Sequence, residues 1–176
     1  MAGYLPHIVY PVMSRIVGVF VIALALSQPA FAKKPPVGDM APDFTLPTNG
    51  KYNLRLSEQR GYIHVIVFWA SWCRSCPVQL DSLNTLQEKY REFGVNVWAI
   101  TLDKTREAAH HYLTHKQMDF TILYDTAFEV SERYDIDDLP SSLIVDRDGR
   151  IRHIQDGFEP TDIDKYDAIL QKLVRE

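Results

Sequence analysis

Seven residues from Ile63 to Trp69 (Ile-His-Val-Ile-Val-Phe-Trp) are nearly all apolar, β-branched or aromatic. A run without alternation predicts a strand covered on both faces, hence central in a sheet. Beyond Cys76 the pattern changes: Leu80, Leu83, Leu86, Tyr90 and Phe93 recur at three- and four-residue steps, an amphipathic helix closed by Gly94 as a left-handed cap. Val95 to Leu102 is the next strand, Thr105 to Lys116 a helix, Phe120 to Tyr124 a strand, and Thr126 to Tyr134 another helix. Leu143–Val145 and Arg150–Ile154, joined by Asp148-Gly149, predict a hairpin. Thr161 is the expected cap of a last helix ending near Val174. At the front, Phe44–Leu46 and Tyr52–Leu54 flank Asn49-Gly50 and predict a short hairpin. Strand and helix exchange along the chain, the signature of an α/β domain with helices on both faces of a sheet.

The first 32 residues break this pattern. Ile16 to Leu26 is an uncharged apolar run, preceded by Arg15 and followed by Ala30-Phe31-Ala32. That is the layout of a secretory signal, cleaved after Ala32. The run is about half the roughly 20 residues a membrane-spanning helix needs, and Pro29 follows it. No cysteine stands near the cut, which excludes a lipoprotein anchor. Residues 1–12 are uncharged and carry two prolines, so Met13, opening Met-Ser-Arg, is a candidate initiator. Residues 33–42, with Pro35, Pro36 and Gly38, read as an exposed lead-in, and residues 43–176 as one domain. The expected location is exported, in a periplasm.

Composition narrows the function classes. The 176 residues hold 19 basic and 23 acidic side chains. Without clustered positive charge, nucleic acid is not an expected partner. Cys73 and Cys76 are the two cysteines, which excludes a disulfide-stapled scaffold and leaves an all-cysteine zinc site two ligands short. No metal is expected. Covalent haem would require His directly after Cys76, where Pro77 stands. His111 and His115, at i and i+4, have no third ligand and read as a solvated helix face.

The chemistry lies in Trp69-Ala-Ser-Trp72-Cys73-Arg74-Ser-Cys76-Pro77, between the buried strand and the leucine-striped helix. A cysteine at the first turn of a helix meets unpaired backbone N–H groups and the positive end of the helix dipole, which favour thiolate over thiol. Cys76, three residues on, is close enough to attack a mixed disulfide formed at Cys73. As a purely structural link, a bridge over so short a loop would contribute only about 2 kcal/mol. The pair therefore reads as a thiol-exchange device that needs no other cofactor.

These residues, together with Asp138-Leu139-Pro140-Ser141-Ser142 some sixty positions later, resemble the thioredoxin superfamily. The opening Gly38-Asp-Met-Ala-Pro42-Asp-Phe44-Thr-Leu46 and the helix and strand from Thr105 to Tyr124 are similar to its exported TlpA/ResA-type branch, which includes cytochrome c maturation reductases. The resemblance spans Val37 to Leu173. It implies a thioredoxin-like three-layer sandwich with an N-terminal hairpin and an inserted helix–strand, and a protein-disulfide reductase. It further implies a cis Pro140 against the disulfide, with Leu139 offering backbone hydrogen bonds to a cysteine-bearing client such as an apocytochrome, and a membrane electron donor for re-reduction. Trp72 would shield one side of the nucleophile and offer partners a flat apolar platform. Peroxiredoxins share the opening but carry Thr three and Pro seven residues before their reactive cysteine; here those positions are Ala70 and Ile66.

Departures limit what carries over. Where thioredoxin has a buried Asp six residues before the first cysteine, this chain has Val67. Where the exported branch often has Glu three residues after the second, it has Gln79, which accepts no proton at neutral pH. Asp103, ending the next strand, is the candidate substitute for proton transfer. The direction of electron flow depends on charge near Cys73: Arg74 favours thiolate and an oxidising protein, Asp137 and Asp138 the reverse. At roughly 8 Å each charge is worth about 0.5–2 kcal/mol, a spread that leaves the direction to the resemblance, which implies a reductase. A net oxidase and a non-catalytic interaction domain remain as alternatives.

Overall fold

The computed structural model describes residues 33–114, 116 and 118–176. The segment read as a secretory signal, with the cleavage expected after Ala32, and His115 lie outside them. The strands are β1 (Thr45–Pro47), β2 (Asn53–Arg55), β3 (Ile63–Trp69), β4 (Val95–Thr101), β5 (Thr121–Tyr124), β6 (Ser141–Val145) and β7 (Ile151–Asp156). The helices are α1 (Cys76–Tyr90), α2 (Arg106–Leu113), α3 (Glu129–Arg133) and α4 (Asp162–Leu173). Five strands form one mixed sheet in the order β5-β4-β3-β6-β7; β3, β4 and β5 run parallel, while β6 and β7 are antiparallel to their neighbours. This is the thioredoxin-like α/β fold, with α2 and β5 extending one edge.

β3 is central and all seven of its residues are buried, as its unbroken apolar run requires. Its side chains alternate between two cores. Val65, Val67 and Trp69 join Leu80, Leu83 and Leu86 of α1 and Tyr166 and Leu170 of α4; Ile66 and Phe68 join Phe44, Trp98 and Tyr134 on the opposite face. The β1–β2 hairpin belongs to the second face and is tied to β5, where Asn49 N donates to Ile122 O at 3.0 Å.

Several elements differ from expectation by a residue or a turn, each for a visible reason. The leucine-striped helix stops at Tyr90 and the chain tightens into a 3-10 turn, Arg91–Phe93, before Gly94 at φ 76°; Phe93 thus points off the stripe and is exposed. α3 starts at Glu129 rather than Thr126, because the buried Asp125 carboxylate accepts from Val130 N and Ser131 N and holds the preceding residues in a turn. Thr161 makes no side-chain cap; Asp162, the first residue of α4, instead accepts from Glu159 N at 2.8 Å and Lys165 Nζ at 2.7 Å. On α2 only Ala109 is fully buried, with Tyr112 and Leu113 half-buried beside it. β6 begins two residues early, at Ser141, because Ser141 and Ser142 pair with Phe68 and Val67. The exposed lead-in also pairs: Gly38 N donates to Ile151 O, and Lys34 Nζ reaches Asp156 at 2.7 Å.

Candidate active site

β3 ends at Trp69, and the loop that follows carries Cys73 and leads to Cys76, the first residue of α1. Cys73 N donates to Ala70 O at 3.1 Å, turning the chain back so that α1 can start at Cys76. Cys73 therefore stands just ahead of the helix rather than inside its first turn. Pro77 occupies the first helical turn, where its missing N–H breaks no helical bond and its fixed φ suits the start. The freed helix-start N–H of Cys76 donates to Cys73 Sγ at 3.2 Å. The sulfurs are joined in a disulfide. They differ in access: Cys73 is 7% exposed and Cys76 1%.

Trp72 is 67% exposed beside Cys73, in contrast to Trp69, which is fully buried at the strand end with its ring 5.4 Å from that of Tyr112. Trp72 walls an open cleft floored by Leu102, Ala108 and Phe128, with Lys104 at its rim. Past Leu102 and Phe128 a second depression leads to Asp135 and Asp137. Arg74, Asp137 and Asp138 are all exposed.

Register brings the distant loop to the sulfurs. Ser141 pairs with Phe68, so Leu139 and Pro140 lie level with the end of β3 where the cysteine loop leaves it. The Leu139–Pro140 peptide bond is cis, and Pro140 O is taken by Gly157 N at 2.8 Å. Leu139 is half-buried against the cluster that contains both sulfurs.

Asp103 is 2% exposed and fully engaged. Its carboxylate accepts from Ser71 N at 3.0 Å, Ser71 Oγ at 2.7 Å and Thr101 Oγ1 at 2.7 Å. The acid thus clamps the cysteine loop to the end of β4. Ser71 and Thr101 carried no sequence signal for this role, which depends on two strand ends meeting.

A second polar group lies one helical turn from Cys76 on the buried face of α1. Gln79, one turn along α1 from Cys76, donates through Nε2 to Ser142 Oγ at 3.2 Å and Tyr166 OH at 3.3 Å; those two hydroxyls are 2.6 Å apart. All three residues are buried, and burial pushes the Tyr166 phenol up. Gln79 stood out in the sequence as a departure from a family pattern; nothing in the sequence marked Tyr166. Val67 is fully buried with no ionisable group at its position, and Ala70 and Ile66 leave no hydroxyl or proline where a peroxidase pattern needs them. Among the described residues, no cluster of three His, Cys, Asp or Glu could hold a metal ion, and no helix is long and apolar enough to cross a membrane.

Comparison with known proteins agrees with this geometry. The sequence model of the AhpC/TSA family matches residues 37–154. The thiol-disulfide oxidoreductase ResA of Bacillus cereus is 28% identical over 132 residues, 74% of this chain and 76% of its own length. ResA of Oceanobacillus iheyensis is 30% identical over 125 residues, covering 69% and 65%. Among solved structures, a Chlorobium tepidum protein described as a candidate thiol:disulfide interchange protein DsbE superposes with a TM-score of 0.76 at 30% identity, over 79% of this chain and 98% of that one.

Proposed function

The chain belongs to the AhpC/TSA family of thioredoxin-fold proteins, and on that premise we propose that it is a ResA/TlpA-type thiol-disulfide oxidoreductase that reduces cysteine-bearing clients, apocytochrome c among them, in the periplasm. The observation that carries the reading is the asymmetry of the sulfurs. The more accessible one receives the helix-start N–H at 3.2 Å, and the buried one waits behind it.

In this mechanism the Cys73 thiolate attacks a client disulfide, forms a mixed disulfide and expels one client thiolate. Cys76 then attacks the Cys73 sulfur, regenerates the internal disulfide and expels the other. Two electrons pass to the client. Trp72, Leu139 and Pro140 align the client strand, and the cleft beside Trp72 takes its apolar side chains. The Asp103 clamp, with three donors on its oxygens, keeps the loop in register. An oxidising compartment would hold the pair as a disulfide, so the cycle requires a dithiol donor at the membrane.

The test has two parts. Acid quenching of intact cells followed by maleimide labelling should find Cys73 and Cys76 reduced in the exported pool; an oxidised pool would favour disulfide insertion instead. Cys76→Ala should accumulate mixed disulfides through Cys73 that identify the clients, whereas absence of any adduct would leave a binding domain.

A further inference from the structure

One buried group a helical turn from Cys76 is left without a partner. Gln79 and Cys76 are three residues apart on α1 and share its buried face, at 0% and 1% exposure. The Gln79 Nε2 is seated on Ser142 and Tyr166, but its Oε1 is buried with no hydrogen-bond partner. An orphaned buried acceptor costs about 1–3 kcal/mol. The seat itself is indifferent to which end of the amide it holds. Ser142 Oγ and Tyr166 OH lie 2.6 Å apart, and either can be the donor between them. Such a hydroxyl pair can accept from an amide NH2 or donate to an amide carbonyl. Whichever end sits on the pair, the other stays free.

The geometry points to Gln79 as a positioning residue for Cys76, with a free amide end that turns over as that sulfur gains or loses its proton. This rests on the reading of Cys76 as the resolving sulfur. While Cys76 is a thiol, the amide carbonyl accepts its S–H. When the thiol ionises, the amide turns and an N–H donates to the thiolate. A carboxylate at this place can only accept, and a thioether can do neither well. In the resolving step the Cys76 proton passes to the client thiolate expelled in the first displacement, giving a client thiol. The Cys76 thiolate then attacks the Cys73 sulfur, the Cys73–Cys76 bond forms, and the remaining client sulfur leaves as thiolate. Gln79 neither gives nor takes a proton, and its turn leaves the electron count unchanged.

The test titrates Cys76 alone, by ultraviolet thiolate absorbance, in the exported chain carrying Cys73→Ala. A charge-assisted hydrogen bond outweighs a neutral S–H contact, so Gln79→Met should move thiolate formation to a pH about one unit higher. Gln79→Glu should move it further, by like-charge repulsion. The paired change Ser142→Ala with Tyr166→Phe, which removes the seat and spares the amide, should shift it in the same direction. With both cysteines present, Gln79→Met should slow resolution of a preformed thionitrobenzoate adduct about tenfold, the rate equivalent of that shift, and change adduct formation at Cys73 less than about twofold. An unmoved or lowered Cys76 titration, in variants whose near-ultraviolet circular dichroism matches the parent, overturns the proposal. The titration needs no client, so a chain inert toward every disulfide offered would defeat the exchange reading while leaving this result standing.

Discussion

The two faces of β3 are built from alternate residues of one strand and do different work. On the face of Ile66 and Phe68, the aromatic rings of Phe44, Phe68, Trp98 and Tyr134 lock against each other at centroid distances of 5.8–6.2 Å. The His64 ring lies tilted against that of Trp98 at a centroid distance of 4.3 Å, and Tyr134 OH donates to the main chain at Pro42. On the face of Val67 and Trp69 lie the sulfurs, the Gln79 amide and the Ser142 and Tyr166 hydroxyls, beneath α1 and α4. Reactive sulfur belongs on the face of Val67 and Trp69 because α1 starts there, and its exposed N–H groups are what a thiolate needs. The aromatic face serves to hold the strand.

The sharpest way to break this division is to empty the aromatic face. Phe68 is fully buried against Tyr134, so Phe68→Ala should cost about 3–5 kcal/mol in denaturant unfolding. The remaining folded protein should still exchange disulfides at a rate near that of the parent. A collapse of exchange in the folded fraction would show that the two faces are coupled.

Acid offers a second separation. His64 is buried, and desolvation lowers its pKa from 6.5 to about 4, with Arg60 adding to the shift and the Gln59 carbonyl opposing it. A folded-state pKa below the unfolded one means that the unfolded chain binds the proton more readily. Stability from this residue is intact above pH 6.5 and declines as pH falls toward 4, by about 3 kcal/mol in total. His153, also lowered by burial, contributes in the same direction. In His64→Gln, which cannot titrate, the slope of unfolding free energy between pH 6.5 and 4 should flatten by most of that amount. An unchanged slope would place the acid sensitivity elsewhere.

The smallest effect sharpens the reactive face. Asp103→Asn keeps an acceptor for Ser71 Oγ but sets an amide NH2 against the donors that Oδ2 now receives from Ser71 N and Thr101. The expected loss is about 1–2 kcal/mol. Alkylation of reduced Cys73 should slow in parallel, as the loop drifts from the helix start. Lost stability with unchanged alkylation would reduce Asp103 to a support of the fold alone.

Much of this was legible before any coordinates. The β3 run, the α1 stripe and the Trp-Cys-x-x-Cys-Pro segment are local patterns, and each predicts its own element or chemistry from neighbours in sequence. The start of α3 was misplaced because Asp125 holds the residues before it in a turn, whereas the bounds of α4 were legible and only its cap passed from Thr161 to Asp162. Asp103 was picked out as an acid near the sulfurs, but the partners that occupy it, Ser71 and Thr101, come from the ends of two different strands. Tyr166 was not anticipated, since it lies 87 residues from Gln79.

Periodicity, composition and the spacing of two cysteines determined by themselves that this is a strand–helix alternating domain with a dithiol at a helix start, because those features are set by interactions within a few residues. Only the tertiary structure decided what surrounds the second sulfur. Strand register and helix packing converge there from three separate stretches of chain, and hydrogen bonds between distant side chains leave no periodic trace in the sequence.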